Sequence, residues 1–177
     1  FEAMGLDSLR SSHPIRVEVK NVSEIEELFD EIAYEKGGSV LRMLDLYLGE
    51  KVFRDGLRSY IKKNQFKNAQ ARDLWESLEK ISDKKVIKVM QKYIDQIGFP
   101  KVKVGFKQNT IMLEQKRFLY EEKNSSSKQV WSIPYHLGIG RYQDGKYVLK
   151  DKVEEIKMVE EVNYLNINKN YSGFFIS

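Results

Sequence analysis

The hydrophobic pattern of this chain changes period once, near Gly98-Phe99-Pro100, and that change limits the fold more than any other feature. Before it, apolar residues recur at helical spacing; after it, they alternate. Val40, Leu41, Leu44, Tyr47 and Leu48 form one stripe, over a helix predicted from about Ala33 to Leu48. Phe53, Leu57, Tyr60 and Ile61 form another over about Lys51 to Lys63, with Lys62 and Lys63 at the negative end of its dipole. Leu74, Trp75, Leu78 and Ile81 predict a helix over about Ala71 to Ile81. Val86, Met90, Tyr93, Ile94 and Ile97 predict one over about Lys85 to Ile97. Gly49 and Gly98 are the expected stops, because glycine takes positive φ without a Cβ clash. A Ser23-x-x-Glu26 capping box adds a short helical segment over about Glu24 to Phe29.

Pro100 blocks helix continuation. Val102, Val104 and Phe106 then alternate with Lys101, Lys103 and Gly105, and Ile111 and Leu113 alternate after a turn at Gln108-Asn109. Further short strands are expected at Trp131 to Ile133, Leu137 to Arg141, Lys146 to Lys150, Glu155 to Val159, Tyr164 to Ile167 and Gly173 to Ile176. Turn signals at Lys123 to Ser127 and at Asp144-Gly145 separate them. Many short strands at this spacing read as a small β-sandwich. The expectation is an α+β chain in two parts, helical over residues 1–97 and a β-sandwich over 98–177.

Several chemistries are excluded by what the chain lacks. With no cysteine there is no disulfide and no thiolate metal site. No apolar run approaches the ~20 residues that span a bilayer, so no membrane partner is expected. Neither phosphate-binding glycine pattern, G-x-G-x-x-G or G-x-x-x-x-G-K-[ST], is present, and H-E-x-x-H is absent. The two histidines, His13 and His136, fall in different halves. His13, before Pro14, reads as a structural turn residue rather than a ligand. The net charge of +4 lies wholly in residues 98–177, which carry 13 basic and 9 acidic groups. Because the bases are interleaved with acids, they read as a solvated surface, and nucleic acid is not an expected partner.

One residue stands apart. Tyr34 heads the helix that ends at Leu48, just before Gly37-Gly38. On composition alone, one tyrosine among ten is a packing residue. A phenol held at a helix start can also donate one hydrogen bond to developing negative charge.

Longer motifs decide between these readings. Asp7-Ser8-Leu9-Arg10-Ser11-Ser12-His13-Pro14-Ile15, followed by the run from Glu27-Leu28-Phe29-Asp30 through Tyr34-Glu35-Lys36-Gly37-Gly38 to Leu44, resembles the gluzincin zinc aminopeptidases. That family includes the aminopeptidase N, puromycin-sensitive and archaeal tricorn-interacting types. The order continues through Asp73-Leu74-Trp75, Gly98-Phe99-Pro100, Gln115-Lys116-Arg117-Phe118, Trp131-Ser132-Ile133-Pro134, Asn168 and Gly173-Phe174-Phe175. Phe175 and Ile176 depart from the family's usual Tyr and Arg there, and Gly38 stands where Ala is common. That glycine weakens the helix by about 0.5–1 kcal/mol but would allow close packing.

The resemblance implies the C-terminal helical part of a thermolysin-like catalytic domain, followed by the β-sandwich. It implies a parent enzyme that removes single residues from peptide amino termini. There, zinc held by two histidines and a glutamate activates water, and a tyrosine hydrogen-bonds the oxyanion. Residue by residue, that tyrosine is Tyr34. In the family, the zinc ligands and the segment that grips the substrate amino terminus lie upstream of the matching segment. The expectation is therefore a fragment that binds no metal, is inactive alone, comes from a cytoplasmic zinc enzyme acting on peptides, and self-associates through an exposed apolar face. The alternative is a non-enzymatic interaction module using the basic β-sandwich.

Overall fold

The computed structural model describes residues 2–21, 29–107, 109–121, 127–139, 143–157 and 165–177. The helical segment expected over about Glu24 to Phe29 and the turn at Lys123 to Ser127 lie outside the described residues, apart from Phe29 and Ser127 themselves. Within them, helices occupy the chain up to Ile94 and strands begin at Pro100. The chain is α+β.

The first helix, α1 (Glu2–Asp7), was not legible in the sequence. It buries only Ala3 and Asp7, too few residues for a stripe, and a helix this short depends on tertiary contacts. The helix expected from Ala33 begins as a π-helical turn, Ile32–Lys36, and continues as α2 (Gly37–Leu48). Gly49 then ends one helix and starts the next. Its N–H donates to the Asp45 carbonyl at 2.7 Å, and its own carbonyl accepts from Phe53 N at 3.0 Å. Its φ of 90° and ψ of 146° lie in a region nearly reserved for glycine, rather than in the expected left-handed helical well.

Helix α3 (Glu50–Asn64) pairs with α4 (Ala71–Ser82), which opens on a capping box between Gln70 and Asp73. Helix α5 (Val86–Ile94) stops three residues short of the expected Ile97. Its last donors and acceptors are taken elsewhere: the Ile94 carbonyl accepts from Arg16 N at 3.0 Å, and Gly98 N donates to Asp7 Oδ1 at 2.8 Å.

Among the described residues six strands make two antiparallel three-stranded sheets. One has the order β1 (Pro100–Lys107), β2 (Thr110–Arg117), β5 (Val153–Lys157). The other has the order β4 (Gln143–Leu149), β3 (Ile133–Ile139), β6 (Leu165–Asn166). The two strands expected around Trp131 and Leu137 are a single strand, β3. Pro134 does not break it: it pairs with Val148 of β4, and on the other edge the ladder to β6 reaches only Gly138 and Ile139. The strand expected at Gly173 to Ile176 is reduced to one bridge between Lys101 and Ile176.

The sequence motifs of the second half turn out to be polar ties. Gln115 is fully buried, and its side-chain amide accepts from Trp131 N at 2.8 Å and donates to Trp131 O at 3.0 Å. It also donates to Asp151 O at 2.9 Å. Asn168 accepts from Gly173 N at 2.8 Å. One buried apolar cluster runs through helices and sheets alike. Phe174 joins them, edge-on to Phe99 at 5.7 Å and to Tyr93 of α5 at 6.5 Å between ring centres.

Candidate active-site element

The π-helical turn that carries Tyr34 is held on both sides. On one side, Asp30 acts as its cap. Its Oδ1 accepts from Ala33 N at 2.9 Å, and its backbone carbonyl accepts from Tyr34 N at 3.1 Å. The other carboxylate oxygen, Oδ2, meets His13 Nε2 at 2.7 Å, while His13 Nδ1 lies 2.9 Å from the Pro14 carbonyl. Both ring nitrogens therefore face acceptors, which only the imidazolium satisfies. Burial lowers the His13 pKa, but the Pro14 carbonyl and the Asp30 carboxylate outweigh it and hold it above its ordinary value. Burial raises Asp30, but the Ala33 N–H and His13 outweigh it and hold it below its ordinary value.

On the other side of Tyr34, Lys36 turns inward. Neither the Lys36 nor the Asp7 side chain is exposed, and the ammonium lies 2.9 Å from Asp7 Oδ2. It also donates to the Gly98 and Gln96 carbonyls at 3.0 and 3.3 Å. Burial pulls the Lys36 pKa below its ordinary value, against the charge and contact of Asp7. Asp7 Oδ1 accepts from Ser12 Oγ at 2.7 Å as well as from Gly98 N. One carboxylate thus ties together α1, the Ser12-His13-Pro14 segment, the Tyr34 turn and the entry to β1.

Between these anchors Tyr34 is 64% exposed. Its ring stacks on Phe29 at 6.1 Å, and its hydroxyl has no hydrogen-bond partner among the described residues. The arrangement presents a phenolic donor from a rigid helix start. Grooves of about 150 and 180 Å³ run along α2, lined in part by Met43, and Tyr34 lines neither. The close packing expected at Gly38 is absent, since an added Cβ would meet no atom within 4 Å.

Part of the basic charge is structural. Lys84 Nζ donates to Tyr47 O at 3.0 Å, and Lys146 Nζ to Leu46 O at 2.5 Å. Both cations sit at the carbonyl end of α2, where its dipole favours them. Arg117 is nearly buried and donates to Leu9 O at 3.0 Å.

Among the described residues no three His, Asp or Glu side chains come together to hold a metal ion. The nearest pairing of suitable residue types, His13 with Asp30, has both ring nitrogens engaged. These residues do not form a zinc site. No helix among the described residues is long and apolar enough to cross a membrane.

Sequence reasoning singled out Tyr34 but missed the parts that hold it. Asp30, three residues before Ala33, carries a recognisable capping signal. His13, read as a turn residue, is in fact one half of an ion pair. Lys36 carries no signal, because a lysine in a helix ordinarily reads as solvated.

An exposed phenol at a helix start, held by Asp30 and Lys36, thus sits within this motif order. The profile of the Peptidase family M1 domain matches residues 1–93, and the chain belongs to that family. It is 43% identical to Aminopeptidase M1 of Arabidopsis thaliana, over 98% of this chain and 21% of that protein. It is 37% identical to Puromycin-sensitive aminopeptidase of Caenorhabditis elegans, over 97% of this chain and 19% of that protein. Tricorn protease-interacting factor F2 of Thermoplasma volcanium is 37% identical, over 98% of this chain and 21% of that protein. The chain spans about a fifth of the length of the curated relatives it matches. Family membership does not favour the interaction-module reading.

Proposed function

We propose that this chain supplies the oxyanion-binding element of a zinc-dependent aminopeptidase that cleaves single residues from peptide amino termini. The observation that carries this reading is Tyr34: an exposed phenol at a helix start clamped by Asp30 on one side and Lys36 on the other. A donor fixed before the reaction needs no reorganisation as negative charge develops on the scissile carbonyl oxygen. The names of relatives such as Aminopeptidase M1 and Puromycin-sensitive aminopeptidase support the same activity. The zinc implied by the resemblance would be held by parts of the protein outside these residues.

The reading also divides the chain at about residue 97, between the C-terminal helical part of a thermolysin-like domain and a small β-sandwich. The end of the family match at residue 93 and the start of the strands at Pro100 support that division. By the same reading the 177 residues alone are inactive, and they self-associate through exposed apolar side chains such as Leu6, Leu9 and Phe29.

The test is Tyr34→Phe in the full-length protein. It is expected to raise the barrier for kcat by about 2–4 kcal/mol, the scale of one lost oxyanion donor. KM and zinc content should stay near wild type. Near-wild-type turnover by this variant would falsify the assignment.

A further inference from the structure

We propose that the His13–Asp30 ion pair is the positioning device for Tyr34, so that turnover depends on the protonation of a histidine that never touches the substrate. The inference rests on Tyr34 being the oxyanion donor. It adds residues, and a pH dependence, that neither the family match nor the relatives' names assign.

The geometry runs in one short chain. His13 Nε2 holds Asp30 Oδ2 at 2.7 Å, Asp30 Oδ1 holds Ala33 N at 2.9 Å, and the Asp30 carbonyl holds Tyr34 N at 3.1 Å. The carboxylate is thus oriented by the imidazolium, and its bond to Ala33 N depends on that orientation, while the backbone bond from Tyr34 N continues the same turn. Ala33 N is a donor at the opening of the helix, where no earlier turn supplies a backbone acceptor, and Tyr34 N makes the turn's first backbone bond, to the Asp30 carbonyl. His13 itself is fixed by the Pro14 carbonyl at 2.9 Å. The charged groups acting on it are Asp30 and, from α1, Asp7.

Loss of one proton breaks this chain. A neutral imidazole has one N–H, so either the Pro14 carbonyl or the Asp30 carboxylate then faces a lone pair. In one tautomer the Asp30 carboxylate loses its donor; in the other the ring loses the Pro14 carbonyl that fixes it against Asp30, and either way the start of the Tyr34 turn loosens. A displacement of about 1 Å at a catalytic group can lower a rate about 100-fold, so a partial loosening is felt in kcat before it is felt in substrate binding. Turnover is therefore highest with His13 protonated and falls as pH rises through a histidine pKa that Asp30 holds above the ordinary one.

Asp30→Asn separates positioning from bulk. Asparagine keeps the cap on Ala33 through its oxygen, and its NH2 group donates to a neutral His13 Nε2. The structure is kept while the histidine no longer needs its proton. The experiment uses the full-length protein with an aminoacyl-coumarin substrate. It measures kcat and KM across the histidine titration range for wild type, Asp30→Asn, His13→Ala, Tyr34→Phe and the His13→Ala/Tyr34→Phe double variant. Histidine ring NMR signals follow His13, identified as the signal lost in His13→Ala.

Three results are expected. The alkaline fall in kcat seen in wild type tracks the NMR titration of His13 and disappears in Asp30→Asn. His13→Ala lowers kcat on the order of 10-fold or more, with KM little changed. The double variant is no slower than Tyr34→Phe alone, because both substitutions remove one function. An unchanged alkaline limb in Asp30→Asn overturns the inference, and so do losses that multiply in the double variant. In either case a large Tyr34→Phe effect leaves the oxyanion reading standing. A Tyr34→Phe enzyme near wild type overturns both.

Discussion

The Lys36 ammonium lies 2.9 Å from the Asp7 carboxylate with neither side chain exposed to solvent, which anchors the Tyr34 turn to a helix 25 residues or more upstream. Removing one partner leaves an uncompensated buried charge. Lys36→Met is expected to destabilise the fold by about 3 kcal/mol, at the low end for a broken buried pair, because Asp7 keeps the Ser12 and Gly98 bonds. Adding Asp7→Asn should recover part of that loss. The check is the denaturant midpoint at constant slope; a change under about 1 kcal/mol would contradict the anchor.

Stability should show a shallow pH dependence from His13 and Asp30. His13 is raised, so its contribution is full below its ordinary 6.5 and is lost as pH rises through the folded value. Asp30 is lowered, so its contribution is present above its ordinary 3.8 and is lost as pH falls through the folded value. The pair is thus strongest between those two ordinary values. Solvent access limits the effect to no more than about 1 kcal/mol. Thermal unfolding should show a Tm that declines on the alkaline side of this window in wild type and less so in Asp30→Asn. Equal slopes in the two proteins would show that the pair contributes nothing.

Gln115 ties β2 to the backbone of Trp131 from inside the core. Gln115→Leu strands Trp131 N–H and two carbonyls, and is expected to cost about 2–3 kcal/mol. Gln115→Glu should be worse, since it sets a carboxylate against the carbonyls of Trp131 and Asp151. Urea unfolding ranks the two variants, and a glutamate variant more stable than the leucine variant contradicts the network.

Gly56 sits inside α3, where alanine has the better helix propensity. Even so, Gly56→Ala is expected to destabilise by about 1–3 kcal/mol. Its Cβ would lie 2.4 Å from Leu78 Cδ2 and 3.3 Å from Leu78 Cα, so side-chain movement alone does not relieve the contact. Stabilisation on this substitution would mean that α3 and α4 can separate without loss.

Element types were legible where apolar residues repeat. Val40, Leu44 and Leu48, and Val86, Met90 and Ile94, are buried as expected, and Val102, Ile111 and Leu113 face the core from adjacent strands, whereas Leu41, Ile61, Ile81 and Phe106 of the predicted stripes are exposed. Tyr34 was legible through the order of motifs around it, not through its own chemistry. Boundaries were less so. Helix α5 stops early because Arg16 and Asp7 take its last partners, and β3 runs through Pro134, which stays in register with Val148 of β4.

The order of elements, the change of period near Gly98 and the place of Tyr34 at a helix start were determined by the sequence alone, because local periodicity and turn chemistry are written in neighbouring residues. What holds Tyr34 was decided only in three dimensions. His13 meets Asp30 across 17 residues and Lys36 meets the Gly98 carbonyl across 62. Pairings of that kind leave no periodic trace, since a charged residue reads as solvated until the folded chain removes its water and supplies a partner.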